Sequence, residues 1–273
     1  MRARNTPLFM APDAGGAGAS HLQPSSAYRY RAGDFLVTAL HEGHNPVSIK
    51  EGFIRDIAVE DVQSALAEAC LPVENLNITF TPITVQTSSE LVLIDTGFAD
   101  NGPPTTGFLE RHMAAAGMKR EEVTKVVISH FHGDHIAGLR SKNGDEVYPN
   151  ADILVPEPEW DFWMDADRRA VAPEAMKPNF AIVDRVFGPI ADRVVKYRWD
   201  DEVVPGITAL DARGHTPGHT AFNIGSGTDR LVFIADVTNH PALFVRNPDW
   251  AAAFDIDPDA ARQTRHRILG MIA

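Results

Sequence analysis

Four side chains that bind divalent metals fall within six residues: His130, His132, Asp134 and His135, in the segment VVISHFHGDHIAGL. Imidazole nitrogen and carboxylate oxygen are the ligands that borderline divalent ions prefer, zinc above all. The β-branched run at 126–128 predicts a buried strand leading into them. Residues i and i+2 of an extended segment point the same way, so His130 and His132 can grip one ion from one side. The chain must turn at Gly133, and HIAGL reads as the first turns of a helix. Asp134 and His135 are then presented at another angle, towards a second ion. A loop that merely happens to be rich in His and Asp accounts poorly for so dense a group.

HFHGDH resembles the HxHxDH signature of the metallo-β-lactamase superfamily. The resemblance implies an α/β fold, the αββα four-layer sandwich, with the metals at the edge where the two sheets meet. Further family ligands follow in order: His215 in GHTPGHT, and Asp236 at the end of LVFIAD, implied to bridge two metals. From RYRAGDFLVTAL through LVLIDTG, EWDFW, VPGITAL and GHTPGHT, the pattern is similar to the branch holding methyl parathion hydrolase and the quorum-quenching lactonases. That likeness covers nearly all of the chain beyond residue 28. It implies that Asp95 lies beside the metals and holds a ligand histidine in one tautomer, and that His219 supports the His215 loop. It also implies one more histidine, roughly forty-five residues past the bridging acid on the family pattern. The sequence ends at Ala273, before that strand. The expectation is therefore a complete first site and a weakened second one, held by Asp134, His135 and Asp236 with water. His240 is the nearest spare imidazole, and it could also reach the pocket rim.

The implied cofactors are two divalent ions, zinc first. A metal lowers the pKa of bound water from about 15.7 to near 7, so hydroxide is available to attack a carbonyl or phosphoryl centre. Asp134 is the natural group to carry a proton to the departing oxygen. No Gly-x-Ser-x-Gly turn is present, so a covalent acyl-enzyme lacks support. Trp163 is implied to line the pocket, although simple core packing explains it equally well, and Phe98 is a second aromatic for the wall. Such a lining suits a small, neutral, apolar ester: a lactone, an aryl ester or an organophosphate triester. Lactonases of this kind carry Tyr three residues after the bridging Asp, where Asn239 stands here, which tilts away from a dedicated homoserine lactonase. Two other readings stay open, a catalytically silent binding module and a mononuclear iron enzyme that oxidises a thiol.

Composition agrees. The 273 residues carry a formal charge of −12, and a nucleic-acid surface would want a basic stripe instead. A 44% apolar and 23% charged composition is ordinary for a globular protein. Cys70, the single cysteine, falls in a helical apolar pattern and is expected to be buried. Residues 1–27, rich in Gly, Ala and Ser, read as a flexible arm without a secretory core region, and residues 28–273 as one domain. No run approaches the ~20 apolar residues that span a bilayer, so no membrane partner is expected and the cytoplasm is the default compartment, the periplasm the runner-up. Relatives in this branch pair as homodimers, which makes a dimer the expected assembly.

The positioning elements follow from periodicity. Strands are expected at 35–40, 79–86, 91–94 and 153–155, then at 194–198, 207–210, 221–224 and 231–235 as the second sheet. Helices are expected after Glu60–Asp61, over 108–116, over 179–192 and over 257–273, the last with Asp257 as N-cap and Pro258 following. His41 and His44 are placed in a polar loop. His112 reads as a helix histidine, not a ligand. His266, with Arg262, Arg265 and Arg267, reads as a solvated face.

Overall fold

The computed structural model describes residues 26–226 and 228–273. The expected arm therefore lies outside the described residues, except for its last two positions. In chain order the first elements are strands β1 (Ala27–Ala32), β2 (Phe35–Leu40) and β3 (Gly43–Ser48), helix α1 (Val59–Glu68), then β4 (Asn75–Phe80), β5 (Ile83–Gln86) and β6 (Leu91–Ile94). Helix α2 (Leu109–Ala115), strand β7 (Lys125–Val127), helix α3 (Gly133–Ile136) and strand β8 (Asp152–Pro156) follow. Next come α4 (Glu157–Trp163), α5 (Ala166–Ala170), α6 (Lys177–Phe187) and β9 (Val195–Tyr197). The chain closes with β10 (Glu202–Val204), β11 (Ile207–Asp211), β12 (Thr220–Ser226), β13 (Asp229–Phe233) and α7 (Pro258–Ile272).

Two sheets pack face to face. The larger runs β1-β2-β5-β6-β7-β8-β9, antiparallel up to β6 and parallel from β6 to β9; the smaller is the antiparallel β10-β11-β12-β13. Alternate residues of the central strands serve two cores, as a pleat requires. Val92, Ile94 and Val127 face inward against Ile207, Phe222 and Ile224. Leu91, Leu93, Val126 and Ile128 face outward, under Met113 of α2, Trp163 of α4 and Phe180 and Val183 of α6. Helix α7 covers the far side of the small sheet, with Ile268 against Ala212, Ala221 and Val237. The order is helices, sheet, sheet, helix: the αββα sandwich. Because β7 is buried on both faces it reads as an unbroken β-branched run rather than an alternation.

Several expectations are corrected. The strand expected over 79–86 is broken at Pro82, which offers no N–H to a ladder. Its first part belongs to β4, paired with β3 in a separate hairpin, and its second part to β5. His44 consequently lies in β3, not in a loop. The 194–198 strand joins the large sheet, not the small one: it returns from α6 and pairs parallel to β8. Cys70 is exposed, just past the end of α1 at φ +58°. Arg265 is only 1% exposed; its guanidinium finds the carbonyls of Val237, Pro248 and Trp250, which offset the cost of burying the charge. His112, by contrast, lies in α2 as expected, buried with Nδ1 on the carbonyl of His41. Among the described residues no helix is long and apolar enough to cross a membrane.

Candidate metal centre

The site lies at one end of the large sheet, where β6 and β7 stop side by side and run into loops. After β6, Asp95 turns with φ +61°. Its Oδ1 accepts from the Ser129 N–H at 2.8 Å and its Oδ2 from Ser129 Oγ at 2.7 Å, which ties the two strand ends together. The same Oδ2 stands 2.8 Å from His135 Nδ1. Helix α3 begins at Gly133, directly after the extended His132, and turns Asp134 and His135 towards this loop. Gly138 packs so tightly on the loop that a Cβ there would stand 2.1 Å from the Thr96 carbonyl oxygen.

Six candidate ligands converge in two groups. In the first, His132 Nδ1 is 3.2 Å from His130 Nε2 and 2.9 Å from His215 Nε2. Ligands about 2.0–2.1 Å from a tetrahedral ion sit about 3.3 Å from one another, so this spacing is close to that of a filled site. The remaining ring nitrogens are already used: His130 Nδ1 faces Ser129 Oγ at 3.0 Å and His215 Nδ1 faces Asp255 Oδ1 at 2.9 Å. In the second group His135 Nε2 lies 3.3 Å from Asp134 Oδ2 and 3.4 Å from Asp236 Oδ1. Asp236 belongs to both, since its Oδ2 is 3.3 Å from His215 Nε2 and 3.9 Å from His130 Nε2. His130, His132 and His215 form one possible metal-holding set, and His130, His135 and Asp236 another.

The electrostatics fit cations. Burial lowers the pKa of His132 to about 3, with His215 adding to the effect, and burial drives His130 well below the usual value. Neutral imidazoles are the form a metal requires. Burial also pulls His135 down, yet Asp134, Asp236 and Asp95 together hold it well above the usual value. Among the described residues its Nε2 has no hydrogen-bond partner, an arrangement that is costly for a buried nitrogen unless something binds there. An orphaned imidazole nitrogen facing two carboxylates fits a divalent ion.

The supporting residues sort as follows. His219 accepts the Asp236 N–H on Nε2 at 3.1 Å, and its Nδ1 lies 3.0 Å from the Ala212 carbonyl, so it holds the Asp236 backbone. Asn239 donates to Asp236 Oδ2 at 2.9 Å. A cavity of about 800 Å³ opens onto His132, Asp134, His135, His215 and Asp236. Phe98 lines it, edge-on to Phe80 with ring centroids 5.3 Å apart. Trp163 does not line it: the indole is 1% exposed, packed on Phe180 and beneath His132 with centroids 6.3 Å apart, because α4 carries it into the outer core. His240 is likewise off the wall, its Nδ1 accepting from the Ala242 N–H at the head of a π-helical turn over Pro241–Val245.

Three buried carboxylates escape a reading of residue spacing. Asp255 holds His215, Glu159 holds two ligand loops, and Glu42 accepts from the Phe98 and Gly107 N–H groups at 3.0 and 2.8 Å. Asp255 and Glu159 stand in segments whose other acids, Asp257, Asp259, Glu157 and Asp161, are exposed or half-buried, so spacing does not single them out.

Residues 83–273 match the metallo-beta-lactamase superfamily profile. An N-acyl homoserine lactonase of Bacillus cereus is 23% identical over 193 residues, 63% of this chain and 68% of its own length. Among solved structures, AidC, a dizinc quorum-quenching lactonase in complex with a product, superposes at TM-score 0.84 with 26% identity, covering 91% of this chain and 87% of its own. The hydrolase AbOPH, of the beta lactamase superfamily, superposes at 0.83 with 28% identity, covering 90% and 86%. With the sandwich, the convergent histidines and a profile match over more than half its length, this chain belongs to the metallo-β-lactamase superfamily and is a metallo-hydrolase.

Proposed function

We propose that the protein hydrolyses a neutral ester-type bond in a small apolar molecule, a lactone first, with aryl esters and organophosphate triesters as the neighbouring classes. One observation carries the reading: the two oxygens of Asp236 are divided between His215, at 3.3 Å, and His135, at 3.4 Å, so one carboxylate could serve both ligand groups. His130, His132 and His215 would hold one ion, Asp134 and His135 the other, with Asp236 shared; zinc suits this nitrogen and oxygen set best. When bound, such ions polarise the substrate oxygen and make hydroxide available at neutral pH.

The chain's own residues do the rest. Burial raises the carboxyl of Asp134, but His135 lowers it more, so the group is ionised at neutral pH; with Oδ2 facing His135 Nε2 at 3.3 Å, Oδ1 would take the proton of the attacking water and pass it to the departing alkoxide. Asp95 and Asp255 fix the tautomers of His135 and His215. Phe80, Phe98, Phe233 and Phe254 give the cavity an apolar wall, and among the described lining residues none is Lys or Arg. A substrate whose body carries a carboxylate or phosphate away from the ions would find no basic side chain on that wall, so a neutral, apolar body is favoured. The likeness to two lactonases supports testing a lactone first.

Elemental analysis of the purified protein, together with rates on a γ-lactone, a p-nitrophenyl ester and methyl parathion, tests this. Two zinc-class ions and turnover of at least one of the three are expected. Failure on all three, or one iron with thiol-oxidising activity, would overturn it.

A further inference from the structure

Glu159 is 0% exposed, and it occupies a position the ligand set alone does not explain. Its Oε2 accepts from the Phe131 N–H at 2.8 Å and from Trp163 Nε1 at 2.9 Å. Its Oε1 accepts from the Gly218 N–H at 2.6 Å. Phe131 is the peptide between His130 and His132; Gly218 lies in the turn between His215 and His219. One carboxylate therefore holds the two loops whose imidazoles must meet. The loop approaches so closely that a Cβ on Gly218 would stand 2.4 Å from the Glu159 nitrogen, so glycine is required for the contact. Burying a carboxylate is costly unless its oxygens are satisfied. Here the donors come from both ligand loops at once, where a residue serving the fold alone has no need to span them.

We propose that Glu159 is a positioning residue for the metal centre, setting the distance between the His130–His132 loop and the His215 loop so that three ring nitrogens share one ion. This rests on reading those histidines as ligands of a single ion. The Phe131 carbonyl accepts from Asn179 Nδ2 at 2.9 Å, the Gly218 carbonyl accepts from Thr220 Oγ1 at 2.9 Å, and the Thr220 N–H donates to the Ser129 carbonyl at 3.0 Å at the base of the two loops; nearer the imidazoles, Glu159 is the side chain that accepts from the backbone of both loops.

The test uses metal-stripped full-length protein. Zinc affinity is read by competition with a chromophoric chelator, and ligand geometry by the visible absorption of the cobalt-loaded form. Glu159→Gln keeps the volume, but its amide nitrogen meets an N–H donor, so one loop is released. A 10- to 100-fold loss of affinity for the tighter ion is expected, the range seen for groups that support metal ligands, with a shifted cobalt band. Val85→Ala, in the core between the sheets and remote from both loops, is expected to lower the melting temperature while leaving affinity within about threefold. Affinity of Glu159→Gln within threefold of wild type, or an equal loss in Val85→Ala, overturns the proposal. Should Glu159→Gln not fold, Glu159→Asp decides by the same thresholds. A wild-type protein that binds no zinc or cobalt would instead overturn the reading of the histidines themselves.

Discussion

Asp255 Oδ1 and His215 Nδ1 stand 2.9 Å apart, brought together across forty residues of chain. The contact makes Nδ1 a donor and leaves Nε2 aimed at His132 and Asp236; burial lowers the ring's pKa, but Asp236 and Asp255 push it up to about 9, so a metal would take the place of a proton on Nε2. Asp255 is itself fixed, because its Oδ2 accepts from the Ala252 N–H at 2.9 Å and lies 3.8 Å from the Arg265 guanidinium. A chain of support thus runs from the last helix through a buried acid to a ligand. Asp255→Ala is expected to weaken zinc binding and turnover 10- to 100-fold, and Asp255→Asn less, since the amide oxygen still accepts from Nδ1–H. Zinc titration and kcat/KM on the best panel substrate check both.

Asp95 does the same for the other group, but it also holds Ser129. Asn tolerates the left-handed backbone found at this position, so Asp95→Asn keeps the loop while weakening the grip on His135. The expected result is selective: the ion at His135 is lost at chelator concentrations that leave the three-histidine ion bound. Metal content per chain during stepwise dialysis measures it.

Glu42 gives a pH signature. Burial pushes its carboxyl up to about 7, against the Phe98 and Gly107 N–H groups that pull it down, with Asp134 adding to the rise. Among the described residues its Oε2 has no hydrogen-bond partner. The unfolded carboxyl titrates near 4.5. Between pH 4.5 and 7 the unfolded chain therefore releases this proton before the folded one does, and stability falls as pH rises. Below 4.5 both states are protonated and the penalty vanishes. Glu42→Gln has no such slope, and its amide oxygen can still accept from both N–H groups. The melting temperature of the variant relative to wild type is expected to climb from pH 4.5 to 7 and then level off. A difference that stays flat across that window would show that Glu42 is not held protonated.

Arg265 is a stability determinant rather than a surface charge. Its Nε donates to the Val237 carbonyl at 2.9 Å, one residue past Asp236, and its Nη1 to the Pro248 carbonyl at 3.0 Å. Arg265→Met leaves those carbonyls and Asp255 buried without their partner. A loss of about 3–5 kcal/mol is expected, the cost of breaking a buried pair from one side, read from urea unfolding of the metal-free protein.

What the sequence decided by itself is local. A β-branched run followed by HFHGDH specifies a buried strand, an extended pair of histidines and a helix start, because those preferences act over a few residues; α3 begins at Gly133 as the pattern requires. The family likeness then supplied the partners at His215 and Asp236, and the fold that brings them in. Tertiary structure alone decided where the strands and the buried charges go. The strand after α6 joins the large sheet because a parallel crossover places it beside β8, a non-local choice that no window of sequence contains. Trp163 falls in the core and Phe98 on the cavity wall although both are aromatic residues beside the site, since side-chain direction depends on how α4 and the loop after β6 pack. Asp255, Glu159, Glu42 and Arg265 look like surface residues in sequence. Each is buried because donors or acceptors from distant segments surround it, and only the folded chain assembles those partners.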